Sequence, residues 1–366
     1  MANLLDPPIV RMPELGQDPW LNTPTALTKE QLRGKVILVD FWDYTCINCL
    51  RTLPYIREWE RRYADRGLVI IGVHTPEFKF AAHQAQVAEA AEQLELRYPI
   101  LIDSQQETWT RFANRAWPTK YIIDSQGYIR FKYQGEGGYS ATEEAIQLLL
   151  RQRDPDISLP EIMPPLQPTD VAGAVCYRTT PELHAGYQGG GLFGSALGNP
   201  EGFVTGGIMM YALPDEEYRR EGQFFLQGFW RALPESLAFA GEDGGRVLLP
   251  YSAAGVNAVL SPSGDPLELM LGLRTSEKTP LVQIKLNGTS LPRPFAGKDV
   301  LYDASGRSYL RVDRPRLYEI VRDQTFGSHE LELTFHARGL ALFSFTFNSC
   351  VVSSSGPGSA DTFRRN

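Results

Sequence analysis

The chain carries two rhythms of apolar and polar residues, and the change between them falls near residue 154. In the first part, short apolar runs of strand length alternate with segments whose apolar positions recur at helical spacing. Lys35-Val36-Ile37-Leu38-Val39-Asp40-Phe41-Trp42 reads as a buried strand. A helix follows it, with Leu50, Leu53, Ile56, Trp59 and Tyr63 on one face and a kink expected at Pro54. A second strand covers 67–74, and a helical stretch rich in Ala, Gln and Glu covers about 80–95. Pro99-Ile100-Leu101-Ile102, a short helix near 107–114, and the strand Thr119-Lys120-Tyr121-Ile122-Ile123-Asp124 come next. The last of these is expected to run parallel to the first. Ser125-Gln126-Gly127 is a turn, Tyr128 to Tyr133 the second arm of a hairpin, and Ala141 to Arg151 a closing helix. The order is β-α-β-α-β-β-α around a mixed sheet.

Between Asp154 and Pro168 the residues Pro155, Pro160, Pro164, Pro165 and Pro168 predict a stiff, extended linker. Beyond it the helical periodicity disappears. Val282 to Leu286, Leu331 to Phe335 and Phe343 to Phe347 alternate apolar with polar residues, between turn signals such as Asn287-Gly288. About 180 residues of this kind predict a β-sandwich of jelly-roll type. The expected division is an α/β domain over 1–153, a Pro-rich linker over 154–171, a β-sandwich over 172–350 and a disordered tail over 351–366.

Composition narrows the field of functions. A net charge of -7 and a pI near 5.4 argue against a nucleic-acid surface, which calls for clustered Lys and Arg. No apolar run approaches the ~20 residues of a membrane-spanning helix. Met1 to Pro8 has neither a basic region nor an apolar core, so the sequence as it stands points to the cytoplasm. An extracytoplasmic location applies instead if the chain is a processed fragment. With 4 cysteines in all, a disulfide-stapled scaffold is excluded.

Two of those cysteines carry the chemistry. Cys46-Ile47-Asn48-Cys49 stands just after the first strand, at the start of a helix. The first turn of a helix closes a two-residue spacer tightly and surrounds the first sulfur with unpaired N–H groups. Those donors predict a Cys46 thiolate stabilised below the ordinary thiol value of about 8.5. Cys46 is then the attacking sulfur in thiol–disulfide exchange and Cys49 the resolving one. A zinc site needs four ligands, and neither Cys176 nor Cys350 is placed at ligand spacing. No metal or organic cofactor is expected; the redox-active Cys46–Cys49 disulfide serves in its place.

Asp40 lies in the middle of an apolar strand. It is either a solvated strand-end carboxylate or a base behind Cys49, taking that thiol's proton as it attacks. Trp117-Pro118 is either a bend or a cis peptide that packs on the redox turn and pairs with an extended substrate. Tyr44 and Asn48 flank the cysteines and are expected to shape substrate access. His74 and Glu77 read either as rim residues or as a capped strand-to-helix turn, and His83 as a solvated helix residue. Trp230, Tyr187 and Tyr251 offer stacking surfaces for a sugar, with burial in the core the alternative. His184, His329 and His336 are scattered. Cys176 and Cys350 are expected as two free buried thiols, with a structural disulfide the alternative.

Leu38 to Trp42, Cys46 to Cys49 and Leu50-Arg51-Thr52-Leu53-Pro54 together resemble the TlpA-like and DipZ-type thiol–disulfide proteins. The resemblance extends through Gly72-Val73-His74-Thr75-Pro76-Glu77-Phe78, Asn114 to Pro118 and Gly135-Glu136-Gly137. Thr180 to Tyr187, Leu226 to Trp230 and Phe345-Thr346-Phe347 are similar to the C-terminal module of the DipZ type. The resemblance implies a thioredoxin-like domain followed by a sandwich similar to carbohydrate-binding modules. It implies exchange with protein thiols and disulfides, and binding of a glycan or a protein at the sandwich. It also implies a preceding membrane electron-transfer domain, which this sequence does not contain, so the electron donor or acceptor stays unnamed. The rival class is a binding protein whose thioredoxin-like part is inert.

Overall fold

In a computed structural model that describes residues 4–171, 174–189, 196–242, 244–273 and 276–352, the chain divides into two units, the first running to Leu166 and including Leu269–Leu271, the second made of the rest from Gln167. The first unit is built on β1 (Trp20–Leu21), β2 (Val36–Trp42), β3 (Leu68–His74), β4 (Ile100–Ile102), β5 (Thr119–Ile123) and β6 (Ile129–Gln134). Its helices are α1 (Lys29–Leu32), α2 (Ile47–Tyr63), α3 (Gln84–Gln93), α4 (Glu107–Arg111) and α5 (Tyr139–Arg153). The strands lie in the order β1-β4-β3-β2-β5-β6. This is the thioredoxin-like arrangement that the alternating pattern predicts, with β1 as an edge the sequence does not announce. Helix α2 continues unbroken through Pro54.

Strand β5 corrects the expected direction. It runs antiparallel to β2, with Phe41 opposite Thr119 and Asp40 opposite Lys120. The helix between β4 and β5, α4, rises only about 7 Å. It does not carry the chain back along the sheet, so β5 starts at the end where β4 stops.

The period-two character of β2 decides what each face does. Ile37, Val39 and Phe41 join Ile71, Val73, Tyr121 and Ile123 in one apolar core, closed by Met12, Leu32 and Phe112. The other face of β2 carries Asp40 and Trp42, and α2 and α5 pack on this region of the sheet. At Gly72, the neighbour of Asp40 on β3, an added Cβ would stand 2.9 Å from the Tyr98 ring and 3.0 Å from the Trp42 indole nitrogen. The missing side chain is what lets these two aromatics close over the sheet.

The proline-rich stretch belongs to the first unit as far as Leu166. The buried Glu143 carboxylate accepts from Tyr63 Oη at 2.5 Å and from the Met163 N–H at 3.0 Å, and pairs with Arg62. Gln147 donates to the Pro160 carbonyl at 2.7 Å, and Leu166 N–H to Tyr55 Oη at 2.8 Å. The segment is thus a strap fastened to α2 and α5.

The second unit is built almost wholly of strands, as the alternation predicts, with one short α-helix among the described residues, α6 (Pro266–Met270). Its strands are β7 (Ala174–Cys176), β8 (Leu183–His184), β9 (Ile208–Tyr211), β10 (Phe225–Ala232), β11 (Leu237–Phe239), β12 (Gly245–Ser261), β13 (Leu281–Leu286), β14 (Thr289–Ser290), β15 (Leu301–Tyr302), β16 (Ser308–Arg311), β17 (Arg316–Phe335), β18 (Ala341–Asn348) and β19 (Cys350–Val352). Two long strands, β12 and β17, organise its large sheet. β12 pairs with β17 along most of its length, with β10 near its start and with β18 near its end. Since β10 also pairs with β11 and β11 with β18, these four strands close a ring around a core that includes Trp230, Tyr251, Leu333 and Phe345.

The pairing of β7 with β19 corrects two expectations. Cys176 stands directly opposite Cys350, and the two form a disulfide. The fold brings the first and last strands of the unit together, so the two cysteines are not free thiols. The strand also reaches Val352, past the expected start of the tail, whose residues 353–366 lie outside the described residues.

Candidate active site

Strand β2 ends at Trp42, and four residues carry the chain into α2. Asp43 fixes that turn. Its buried carboxylate accepts from the Thr45 N–H at 2.8 Å, from Thr45 Oγ1 at 3.0 Å and from the Glu77 N–H at 2.6 Å. It therefore ties the loop before α2 to the loop after β3. His74 lies fully buried, with Nε2 3.7 Å from Asp43 Oδ1, neither ring nitrogen hydrogen-bonded among the described residues, and the ring stacked on Tyr44 at 5.5 Å. His74 and Glu77 thus form part of a packed turn. Tyr44, expected at the rim, is only 5 % exposed and donates to Gln86 at 3.1 Å; its ring is a wedge between β3 and α3. Asn48 is the flanking residue that stays exposed. His83 is half-buried at the N-cap of α3, so it is not on the helix face.

Cys46 is the N-cap of α2, and its sulfur accepts the Cys49 N–H at 3.2 Å. The local geometry is that expected from the Cys-X-X-Cys spacing. The expected acidity is not. Burial pushes the Cys46 thiol above its ordinary value, the hydrogen bonds from Cys49 lower it, and the negative charges of Glu77 and Asp43 raise it. Helix N–H donors are visible in the sequence, whereas the desolvation and the approach of the two carboxylates come only with the fold. Burial pushes Cys49 well above the ordinary value, and it is 1 % exposed. The two sulfurs still differ as exchange requires: Cys46 is partly open to solvent, and Cys49 is enclosed.

Asp40 is 1 % exposed, and neither carboxylate oxygen has a hydrogen-bond partner among the described residues. Desolvation raises its carboxyl to about 7, against a lowering pull from Lys120. Its charge is one of the influences that raise Cys49. An orphaned buried carboxylate with a near-neutral pKa is an acid–base group in waiting.

Because β5 is antiparallel to β2, its beginning lies at the sheet end that carries Cys46. The Trp117–Pro118 peptide there is cis. The Trp117 indole donates to the Thr75 carbonyl at 3.0 Å and packs on Trp109 at 4.2 Å. Gly135 N–H donates to the Pro118 carbonyl at 2.7 Å, whereas the peptide groups of Trp117 make no hydrogen bond among the described residues. The sequence reading missed Asp43 and Lys120. Each was visible only as a charge beside or within an apolar strand. In the second unit Trp230 and Tyr251 are 0 % and 2 % exposed, so neither presents a ring to a sugar; Tyr187 alone of the three is exposed.

Comparison with known proteins gives the family. Residues 18–132 match the AhpC/TSA family, and residues 180–348 match the thioredoxin-like C-terminal domain family. The protein DipZ of Mycobacterium bovis is 31 % identical over 336 residues, covering 90 % of this chain and 41 % of that protein. The chain therefore spans about two fifths of the length of these relatives. The thiol-disulfide oxidoreductase YkuV of Bacillus subtilis is 30 % identical over 145 residues, covering 39 % of this chain and 96 % of that protein. A solved thioredoxin-like protein in its oxidised form is 30 % identical with a TM-score of 0.36, covering 39 % of this chain and 96 % of that one. With its Cys-X-X-Cys turn on a thioredoxin-like sheet and a DipZ-type second domain, the chain belongs to the thioredoxin-like thiol–disulfide oxidoreductases.

Proposed function

We propose that this chain exchanges electrons with protein disulfides through Cys46 and Cys49. The observation that carries the reading is the asymmetry of the pair: a partly exposed sulfur at a helix N-cap, and an enclosed one on which a buried carboxylate, Asp40, acts. In the reducing direction, the Cys46 thiolate attacks a substrate disulfide, one substrate sulfur leaves as a thiol, and a mixed disulfide forms. Asp40 then takes the Cys49 proton. The Cys49 thiolate attacks Cys46 Sγ, the bond to the substrate breaks, and the Cys46–Cys49 disulfide forms while the substrate sulfur leaves. Two electrons pass from the dithiol to the substrate, and the reverse sequence oxidises a substrate dithiol. The chemistry asks for no metal or organic cofactor.

Substrate backbone is taken to pair with the peptide groups of Trp117, in the manner of strand addition, and Asn48 lies at the exposed rim. The reading as an inert binding protein has no observation in its favour. The Cys176–Cys350 disulfide supports a location outside the reducing cytosol. That location is tested by the alkylation state of the two cysteines in cell fractions. Reduction of insulin disulfides by dithiothreitol, with and without the protein, tests the activity. Acceleration that disappears in Cys46→Ser is expected; wild-type protein without effect contradicts the reading.

A further inference from the structure

Lys120 is the largest unexplained charge in the first unit. It is 0 % exposed, on a fully buried strand whose other residues are Thr119, Tyr121, Ile122 and Ile123. The β2–β5 register sets it directly opposite Asp40, so both side chains leave the sheet on the same face. Yet the ammonium does not bond to the carboxylate: Nζ donates to the Gly135 carbonyl at 3.2 Å and lies 5.1 Å from the Tyr133 ring centroid and 5.7 Å from that of Tyr139. A cation held near Asp40 but bonded elsewhere can serve a second anion as well. Cys49, in the first turn of the α2 helix that packs on this region of the sheet, becomes such a second anion when it loses its proton, and its charge acts on Lys120 as that of Asp40 does.

We infer that Lys120 is a positioning residue, the shared counter-charge of Asp40 and Cys49. This rests on the exchange reading above. In the resolving step a proton passes from Cys49 Sγ to the Asp40 carboxylate, and the negative charge moves the other way. A lone buried carboxylate would leave that transfer, before and after, with an uncompensated charge in a low-dielectric interior. With the Lys120 ammonium opposite Asp40 and acting on Cys49 as well, the net charge is balanced in both states and nothing else has to move. Fixing the ammonium on the Gly135 carbonyl, rather than in a salt bridge, leaves Asp40 free to accept the proton. The other titratable groups facing this cluster are Cys46 and Glu60 from α2, Tyr98 ahead of β4, Tyr133 from β6, Tyr139 from α5, and Glu136, which is paired with Arg51 at 2.6 Å.

The test uses a mixed disulfide between Cys46 and thionitrobenzoate, whose release by Cys49 is followed by absorbance across pH. Removing the cation makes both anions harder to form, so in Lys120→Met the pH midpoint of release moves up by at least one pH unit and the rate at pH 7 falls about tenfold. Lys120→Arg, which keeps the charge, returns the midpoint towards the wild type. A Lys120→Met midpoint equal to the wild type overturns the inference, whatever the rate, because lost packing alone does not move a titration. If Lys120→Met does not fold, the same change is made in Asp40→Asn, where no buried carboxylate is stranded. There the pH midpoint of Cys49 alkylation is expected to rise, and an unmoved midpoint overturns the inference. Wild-type protein that releases no thionitrobenzoate at any pH defeats the exchange reading itself; normal wild-type release with an unmoved midpoint in the variants defeats only the role of Lys120.

Discussion

Replacing Asp40 by Asn separates the cost of the buried carboxylate from its use. Asp40 is enclosed, has no hydrogen-bond partner among the described residues, and its carboxyl is raised from an ordinary 3.8 to about 7. A group whose folded value lies above its unfolded one binds more protons when folded. Its contribution to stability is therefore complete below about pH 4 and is lost as pH rises towards 7. The distance between the two values corresponds to about 4 kcal/mol. Asn keeps the shape and does not titrate. Urea denaturation of wild-type and Asp40→Asn protein at several pH values should therefore give similar stabilities near pH 4. The variant should be more stable by about 4 kcal/mol near pH 8. The same variant should lose about 10²-fold in resolution of a mixed disulfide, with little change in the attack by Cys46. A stability difference that is the same at pH 4 and pH 8 would refute the assignment of this carboxyl as buried and raised.

Three further outcomes follow from the geometry. In reduced protein at neutral pH, Cys46 should alkylate well before Cys49, because one sulfur is partly exposed and the other enclosed and pushed further up; mass spectrometry of time points checks the order. Replacing Cys176 and Cys350 by Ser opens a loop of 174 residues, and chain entropy puts the loss in the second unit at up to about 5 kcal/mol, measured by denaturation of that unit. Glu143→Gln removes the buried charge that holds Arg62, Tyr63 and the Met163 N–H, and should cost about 3 kcal/mol and speed proteolysis within residues 154–166.

Much of the site was legible because its residues break a local rule. A charge at Asp40 interrupts an apolar strand, two cysteines stand at the spacing of one helical turn, and Trp117-Pro118 precedes a strand. What was not legible depended on pairing across the chain. Lys120 looks like an ordinary solvent-facing residue until the antiparallel register sets it opposite Asp40. Cys176 and Cys350 become partners only because β7 and β19 meet. β12 carries Pro250, Ala253, Ala254 and Gly255, which blur any alternation, so its length was hidden; the register also shifts at Ala253 and Gly255. The acidity of Cys46 was misjudged for the same reason. Helix donors can be read from sequence, whereas burial and the approach of Glu77 and Asp43 require the fold.

The central claim is that Cys46 is the sulfur that meets the substrate and Cys49 the one that releases it. Incubating Cys49→Ser protein with an oxidised, disulfide-bonded protein and mapping the trapped adduct by mass spectrometry tests it directly. A stable mixed disulfide on Cys46, absent when Cys46 is also replaced, is the expected result. An adduct on Cys176 or Cys350, or no adduct while the wild-type protein still reduces the same substrate, would contradict it.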